Sequence, residues 1–175
     1  PLTRMHLRTF FVAKQFIEKQ LRYEVVGALL SPAHSSLVRL RYRTCASEII
    51  PTAHRLAIAQ LCVQESRWMS VDPWEVTRRC AMDYLSQLDH VQNMLASRFP
   101  NINIKLFYLS KPNFVPKLSV EGMKKNGFSC ICVCRAPESD YLRSSLGSRA
   151  NGVVYIGEDT AIIDASMDQV SAKKV

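Results

Sequence analysis

The sequence predicts an α/β domain: a doubly wound parallel sheet with helices on both faces. Three features carry that prediction. Short apolar runs alternate along the chain with longer segments whose apolar residues recur at helical spacing. The runs themselves read as strands buried on both faces. Strands separated by helices imply right-handed crossovers, hence parallel pairing with both faces covered.

The elements follow in order. Leu7, Phe10, Phe11 and Ile17 set a helix over His6 to Gln20, and Tyr23 to Leu30 reads as the first strand. Ser31 to Ile50, rich in serine and arginine and without a clear period, reads as a long loop. Pro51 opens a helix from Thr52 to Gln64, with Leu56, Ala59 and Val63 on its apolar stripe. A short strand over Trp68 to Val71 ends at Asp72 and Pro73. Leu85, Leu88, Val91 and Leu95 mark a helix over Val76 to Arg98, stopped by Pro100 and Asn101. A third strand covers Ile102 to Leu109. A further helix covers Val115 to Asn126, with Gly127 as its C-terminal stop. Phe128 to Val133 is the fourth strand, Pro137 to Gly152 a polar and partly mobile region, and Val153 to Ile156 the fifth strand. No internal repeat and no linker between two domains is evident, so 1–175 reads as a single domain.

Composition narrows the partners. Charged residues make up 22% of the 175 and hydrophobic residues 47%, the balance of a globular protein with a sizeable core. No apolar run approaches the about 20 residues needed to cross a bilayer, and the opening residues do not read as a secretory signal. The 23 basic against 15 acidic residues give a net charge of +8, which favours an anionic partner. Nucleic acid, an acidic membrane and nucleotide phosphates all satisfy it. Cys130, Cys132 and Cys134 fall on every second position, so in a strand they share one face. They lack the turn spacing of a zinc site. Six reduced thiols, with the others at Cys45, Cys62 and Cys80, fit a cytoplasmic or nuclear compartment.

In open α/β sheets ligands bind outside the carboxyl ends of the strands, which directs attention to the loops. Pro1-Leu2-Thr3-Arg4-Met5-His6 lies directly before a helix, whose free N–H groups and partial positive charge suit a phosphate. In isolation the residues favour the plainer reading, Thr3 as a cap and His6 as an ordinary exposed histidine. His54-Arg55 opens a second helix, where a surface role is the default reading. Arg67-Trp68-Met69-Ser70-Val71-Asp72-Pro73-Trp74-Glu75 sets two indoles beside a strand end, able to stack a ring or to fill core.

Taken in this order, the segments resemble the eukaryotic nicotinamide/nicotinate mononucleotide adenylyltransferases of the nucleotidylyltransferase superfamily. The family pattern Gly-Ser-Phe-Asn-Pro-x-Thr-x-Met-His-Leu-Arg is matched in its second half by Pro1, Thr3, Met5, His6, Leu7 and Arg8. Ser31-Pro32 resembles the Ser-Pro after the second strand of that family, and Ile50-Pro51-x-x-His54-Arg55 a helix entry. Trp68-x-x-Val71-Asp72-x-Trp74-Glu75 is similar to its tryptophan segment. Pro112-Asn113-Phe114 looks like a substrate loop, and Cys132-Val133-Cys134-Arg135 like the strand end beyond it. Val170 to Val175 is similar to the opening of the second phosphate motif, with Lys173 where the family has threonine. After Leu109 the family has Cys-Gly-x-Asp, where this chain has Ser110-Lys111-Pro112.

The resemblance implies a Rossmann-like nucleotidylyltransferase fold, in one domain lacking the outermost parts of the family pattern at both ends. It implies direct transfer of the adenylyl group of ATP to nicotinamide or nicotinate mononucleotide, giving NAD or deamido-NAD and pyrophosphate. Mg2+ would enter with ATP, and no prosthetic group is implied. Carried over residue by residue, Thr3, His6, Arg55 and Ser171 are the expected ATP and phosphate-binding residues, with His6 catalytic. Trp68, Phe114 and Ser31 are expected to bind the mononucleotide, with Trp68 stacking on its ring. One of Arg39, Arg41 and Arg43 is expected to assist at phosphate. No nucleic-acid or membrane partner is implied, and a homo-oligomer is compatible. A related nucleotidylyltransferase for pantetheine phosphate or a cytidylyl acceptor would share Thr-x-x-His but not the Trp68 to Glu75 segment. A basic nucleic-acid-binding module would need aromatic residues interleaved with Lys or Arg on exposed strands, which these apolar strands lack. A structural or chaperone-like role is the remaining alternative, and no sequence feature argues for it.

Overall fold

A computed structural model of the chain describes residues 3–44 and 46–159. Within them the helices are α1 (Arg4–Gln20), α2 (Ser35–Arg41), α3 (Thr52–Val63), α4 (Tyr84–Arg98), α5 (Val120–Lys125) and α6 (Ala136–Leu146). The strands are β1 (Ala28–Leu30), β2 (Met69–Val71), β3 (Phe107–Ser110), β4 (Ser129–Cys134) and β5 (Val154–Glu158). The α/β class and parallel pairing are as the sequence predicts. The strands form two sheets, β1-β2 and β3-β4-β5, each parallel throughout. The chain divides into two compact units. Among the described residues the first holds 3–6 and Val25–Asp83, and the second holds Leu7–Glu24 and 84–159.

In the first unit β1 and β2 pair in register, Ala28 with Met69 and Leu30 with Val71. The pairing continues past both ends: Ala28 N–H donates to the carbonyl of Trp68 (2.8 Å), and Asp72 N–H to that of Leu30 (3.0 Å). Helix α3 packs against β2 and buries Ala59 and Val63, two of the three stripe residues the spacing predicts. Strand β1 is shorter than expected. Val26 is 72% exposed, and Arg22 takes a positive φ of 60°, so pairing begins only at Ala28.

In the second unit β4 is the central strand, and all six of its residues are buried. Cys130, Cys132 and Cys134 share one face, as their spacing predicts. Cys130 packs with Leu88, Leu118, Met123, Phe128 and Val153, and Cys132 and Cys134 with Val115, Leu142 and Ile156. Burial pushes the Cys130 thiol up to about 12 and raises those of Cys132 and Cys134, so these side chains behave as small hydrophobes. Cys62 and Cys80, by contrast, are exposed free thiols. On the opposite face Val133 pairs with Gly157, where a Cβ would stand 3.3 Å from the Phe16 ring of α1. Helices thus cover both faces of this sheet. Arg8 of α1 adds a bidentate pair, Nε and Nη2 each 2.7 Å from the Asp159 carboxylate just beyond β5.

Helix α5 ends in a Schellman motif. Phe128 N–H donates to the Met123 carbonyl (2.9 Å) and Gly127 N–H to that of Lys124 (3.2 Å), with Gly127 at φ 72°. Phe128 and Met123 then pack together in the core. Because an L side chain at this φ is strained, Gly127→Ala is expected to destabilise the protein by about 1 kcal/mol. Urea titration of the two proteins measures it; an unchanged midpoint would remove the glycine requirement.

Four sequence expectations are corrected. Within Ser31 to Ile50, read as loop, lie α2 and a 3-10 turn over Ala46–Glu48. The helix expected over Val76 to Arg98 is a 3-10 turn over Glu75–Thr77, then a bent, irregular segment from Arg78 to Asp83, then α4. That over Val115 to Asn126 is a 3-10 turn over Val115–Lys117 followed by α5, which restarts at Ser119, whose hydroxyl caps the Gly122 N–H (3.0 Å). The polar segment from Pro137 onward contains α6, with Pro137 in its first turn and Leu142 facing the core.

Candidate nucleotide site

The carboxyl edge of the β1-β2 pair carries two loops, Ser31 to His34 and Asp72 to Glu75. They are tied together. Glu75 Oε1 accepts the His34 N–H at 2.9 Å, and the Asp72 carboxylate turns its own loop by accepting the Trp74 N–H at 3.0 Å. Glu75 is 3% exposed, so desolvation raises its carboxyl above the ordinary range, against the lowering effects of the His34 N–H and the Arg55 charge. By linkage, the fold loses stability as pH rises from this carboxyl's unfolded pKa through its raised folded one.

Arg55, in the first turn of α3, has all three nitrogens engaged. Nη1 donates to the Ala33 carbonyl (2.6 Å), Nε to that of Ile50 (3.2 Å) and Nη2 to the Thr52 hydroxyl (3.0 Å). Burial lowers its pKa, and the Glu75 charge opposes that. His34 escapes a reading based on motifs, yet it is 8% exposed and central. Its Nδ1 accepts the Ser36 N–H (3.2 Å) and caps α2. In that tautomer Nε2 donates to the Arg78 carbonyl, 3.2 Å away. A polar residue between a strand end and a helix start was the available signal.

Ser31 stands immediately after β1. Its hydroxyl oxygen is buried without a hydrogen-bond partner among the described residues. An orphan of this kind costs about 1–3 kcal/mol.

At the start of α1, Thr3 and His6 form a local pair. His6 Nδ1 accepts the Thr3 N–H at 3.1 Å, the Thr3 hydroxyl lies 2.7 Å from the same nitrogen, and the His6 N–H donates to the Thr3 carbonyl at 3.0 Å. His6 thereby plays the reach-back part of a capping box, and the tautomer so fixed carries its ring proton on Nε2.

The remaining expected residues fall elsewhere. Trp68 is half-buried and precedes β2, at the amino end of the pair, opposite to Ser31. Trp74 follows the carboxyl end, with the Arg78 guanidinium 5.1 Å from its ring centroid. Phe114 lies in the second unit, edge-on to Tyr84 at 5.9 Å and 6.3 Å from Tyr108, against the buried core. Arg39 and Arg41 ride on α2, and Arg43 follows it, all three exposed. His54 is exposed on α3. Ser171 and Lys173 lie outside the described residues. Among the described residues no group of three or more His, Cys, Asp or Glu is placed to hold a metal ion, and no helix is long and apolar enough to cross a membrane.

Parallel strands with loops gathered at a carboxyl edge, and a helix start armed with threonine and histidine, are the parts of a nucleotide-binding α/β protein. Comparison with known proteins is more specific. No family model matches the chain. Over 95 residues, 54% of its length, it is 33% identical to nicotinamide/nicotinic acid mononucleotide adenylyltransferase 2 of Danio rerio and 32% identical to that of Rattus norvegicus. Over a stretch of equal length it is 36% identical to the nicotinamide-nucleotide adenylyltransferase of Drosophila melanogaster. The chain spans 29%, 29% and 23% of the length of these curated relatives. These relatives support its placement in the nicotinamide/nicotinate mononucleotide adenylyltransferase family.

Proposed function

We propose that the protein transfers the adenylyl group of ATP to nicotinamide or nicotinate mononucleotide, giving NAD or deamido-NAD and pyrophosphate. The observation that carries this reading is the His6 ring held by Thr3 in the first turn of α1. The proton placed on Nε2 makes that nitrogen a donor to a phosphate oxygen, and the helix N-terminus adds a partial positive charge. Attack by the mononucleotide phosphate on the α-phosphorus needs no protein nucleophile, so the chain's work is positioning and charge stabilisation. In this reading Thr3 and His6 bind the ATP phosphates, with Ser171 contributing from the second phosphate motif and Arg55 acting beside the loop after β1. The orphaned Ser31 hydroxyl supports that loop as part of the mononucleotide site. Trp68 is the stacking residue for the ring, with Phe114 a further contact on the Pro-Asn-Phe loop.

A magnesium ion would be carried chiefly by the ATP oxygens, the usual mode for a cation that dehydrates reluctantly. Bound there, it would neutralise phosphate charge. The whole chain reads as one nucleotidylyltransferase domain working in the cytoplasm or nucleus, where thiols such as Cys62 and Cys80 stay reduced. No nucleic acid, membrane or prosthetic group enters the reading, and a homo-oligomer is compatible with it.

The test is calorimetric titration of the full-length protein with NAD, followed by ATP and nicotinamide mononucleotide with magnesium. Saturable NAD binding with NAD formed from the two substrates is the expected result. A folded protein that does neither shares the family's fold alone.

A further inference from the structure

Two charged residues at the carboxyl edge of β1-β2 make no sense as simple ligands. Glu75 is buried, and a carboxylate facing nucleotide phosphates would repel them. Arg55 has the charge to meet a phosphate, but three of its five N–H donors, one on each nitrogen, are committed to Ala33, Ile50 and Thr52. What the two share is the main chain of one short loop. Arg55 holds it at the Ala33 carbonyl and Glu75 at the His34 N–H. The Asp72 N–H fixes the preceding Leu30 carbonyl, and the His34 ring ties the loop end to Arg78. Between these anchors sits Ser31, whose buried hydroxyl has no partner among the described residues.

We propose that Arg55 and Glu75 are positioning residues for the mononucleotide half of the reaction, holding the loop 31–34 and with it the Ser31 hydroxyl at the carboxyl edge of the strand pair. The proposal rests on the adenylyltransferase reading for its substrate, though not for its geometry. A guanidinium suits this work because its planar fork reaches three acceptors at once, whereas an ammonium is a single point charge. The carboxylate suits its own because a buried main-chain N–H must be paired.

The experiment compares the full-length protein with Arg55→Ala, Arg55→Lys, Glu75→Ala and Glu75→Gln, using steady-state kinetics and amide hydrogen exchange. Arg55→Ala is expected to raise the KM for nicotinamide mononucleotide about tenfold while the KM for ATP stays within about twofold. Millimolar guanidinium should restore part of the loss, and Arg55→Lys should not. Glu75→Ala should show the same split, with Glu75→Gln recovering most of it because the amide oxygen still accepts the His34 N–H. A rise in the KM for ATP equal to or larger than that for the mononucleotide would make Arg55 a phosphate ligand and overturn the proposal.

Exchange measured without substrate separates the two claims. Arg55→Ala should speed exchange of the 33–36 amides about tenfold or more while α3 keeps its protection. Unchanged exchange there defeats the positioning role, whatever the activity. A wild-type protein that forms no NAD defeats the adenylyltransferase reading instead. If Arg55→Ala fails to fold, the charge-preserving Arg55→Lys carries the same comparison.

Discussion

His6→Ala in the full-length protein is expected to lower kcat for NAD formation by about 10²–10³-fold, the usual cost of removing one preorganised donor from a developing charge. The reason lies in the first turn of α1. With Nδ1 engaged by the Thr3 N–H, the ring is oriented and its proton assigned before substrate arrives. That preorganisation makes a single hydrogen bond worth several kcal/mol in a transition state, where in water it would be worth far less. The variant also loses a helix-start contact, expected to cost about 1 kcal/mol of stability. His6→Gln separates the two effects. A glutamine at this position can still reach back to the Thr3 N–H as in an ordinary capping box, so stability should return while turnover stays low. Steady-state kinetics and urea titration on the three proteins decide the matter. Near-normal turnover in His6→Ala removes His6 from the chemistry, and recovery of turnover in His6→Gln reduces its role to capping.

The parts of the fold written in local pattern were legible. Pro51 ahead of an apolar stripe gave α3 to within a residue, and the run from Phe128 to Val133 gave the central strand, observed one residue later over Ser129–Cys134, with its cysteines on one face. What escaped depended on contacts distant in sequence. The chain leaves helix at Arg78, whose carbonyl serves the His34 ring from 44 residues away rather than a helical N–H. Helix α2 was hidden because its cap is an imidazole rather than Ser, Thr, Asp or Asn, and because Arg39 interrupts Leu37, Val38 and Leu40. The same limit applies to the site. Thr3 and His6 could be paired from their spacing of three, and the structure pairs them. Glu75 matched the family pattern without disclosing a role, and Arg55 was expected to bind phosphate. Only the geometry shows that both act on backbone atoms of a loop neither adjoins in sequence.

Trp68→Ala should raise the KM for the mononucleotide by about five- to hundredfold and leave the KM for ATP within about twofold, since stacking on an aromatic side chain contributes about 1–3 kcal/mol. Two features set the terms. The Trp68 backbone is held on both sides, its N–H 3.4 Å from the Ser66 hydroxyl and its carbonyl taken by Ala28, so the half-buried indole is well placed to act as a rigid platform. Trp74, the alternative, already carries the Arg78 guanidinium over its ring and has less surface to offer. Against Trp68 stands its place at the amino end of β2. With about 3.3 Å per residue, it lies about 13 Å along the strand from Asp72, so a mononucleotide anchored at Ser31 must run along the strand pair to reach it. The paired variants Trp68→Ala and Trp74→Ala therefore locate the ring. Loss confined to Trp68→Ala puts it at the amino end of β2. Loss confined to Trp74→Ala, with Trp68→Ala silent, moves the ring to the loop that also carries Glu75, where the arginine would form the other wall. An equal rise in both Michaelis constants for Trp68→Ala would mean that the indole supports the strand pair and stacks on nothing.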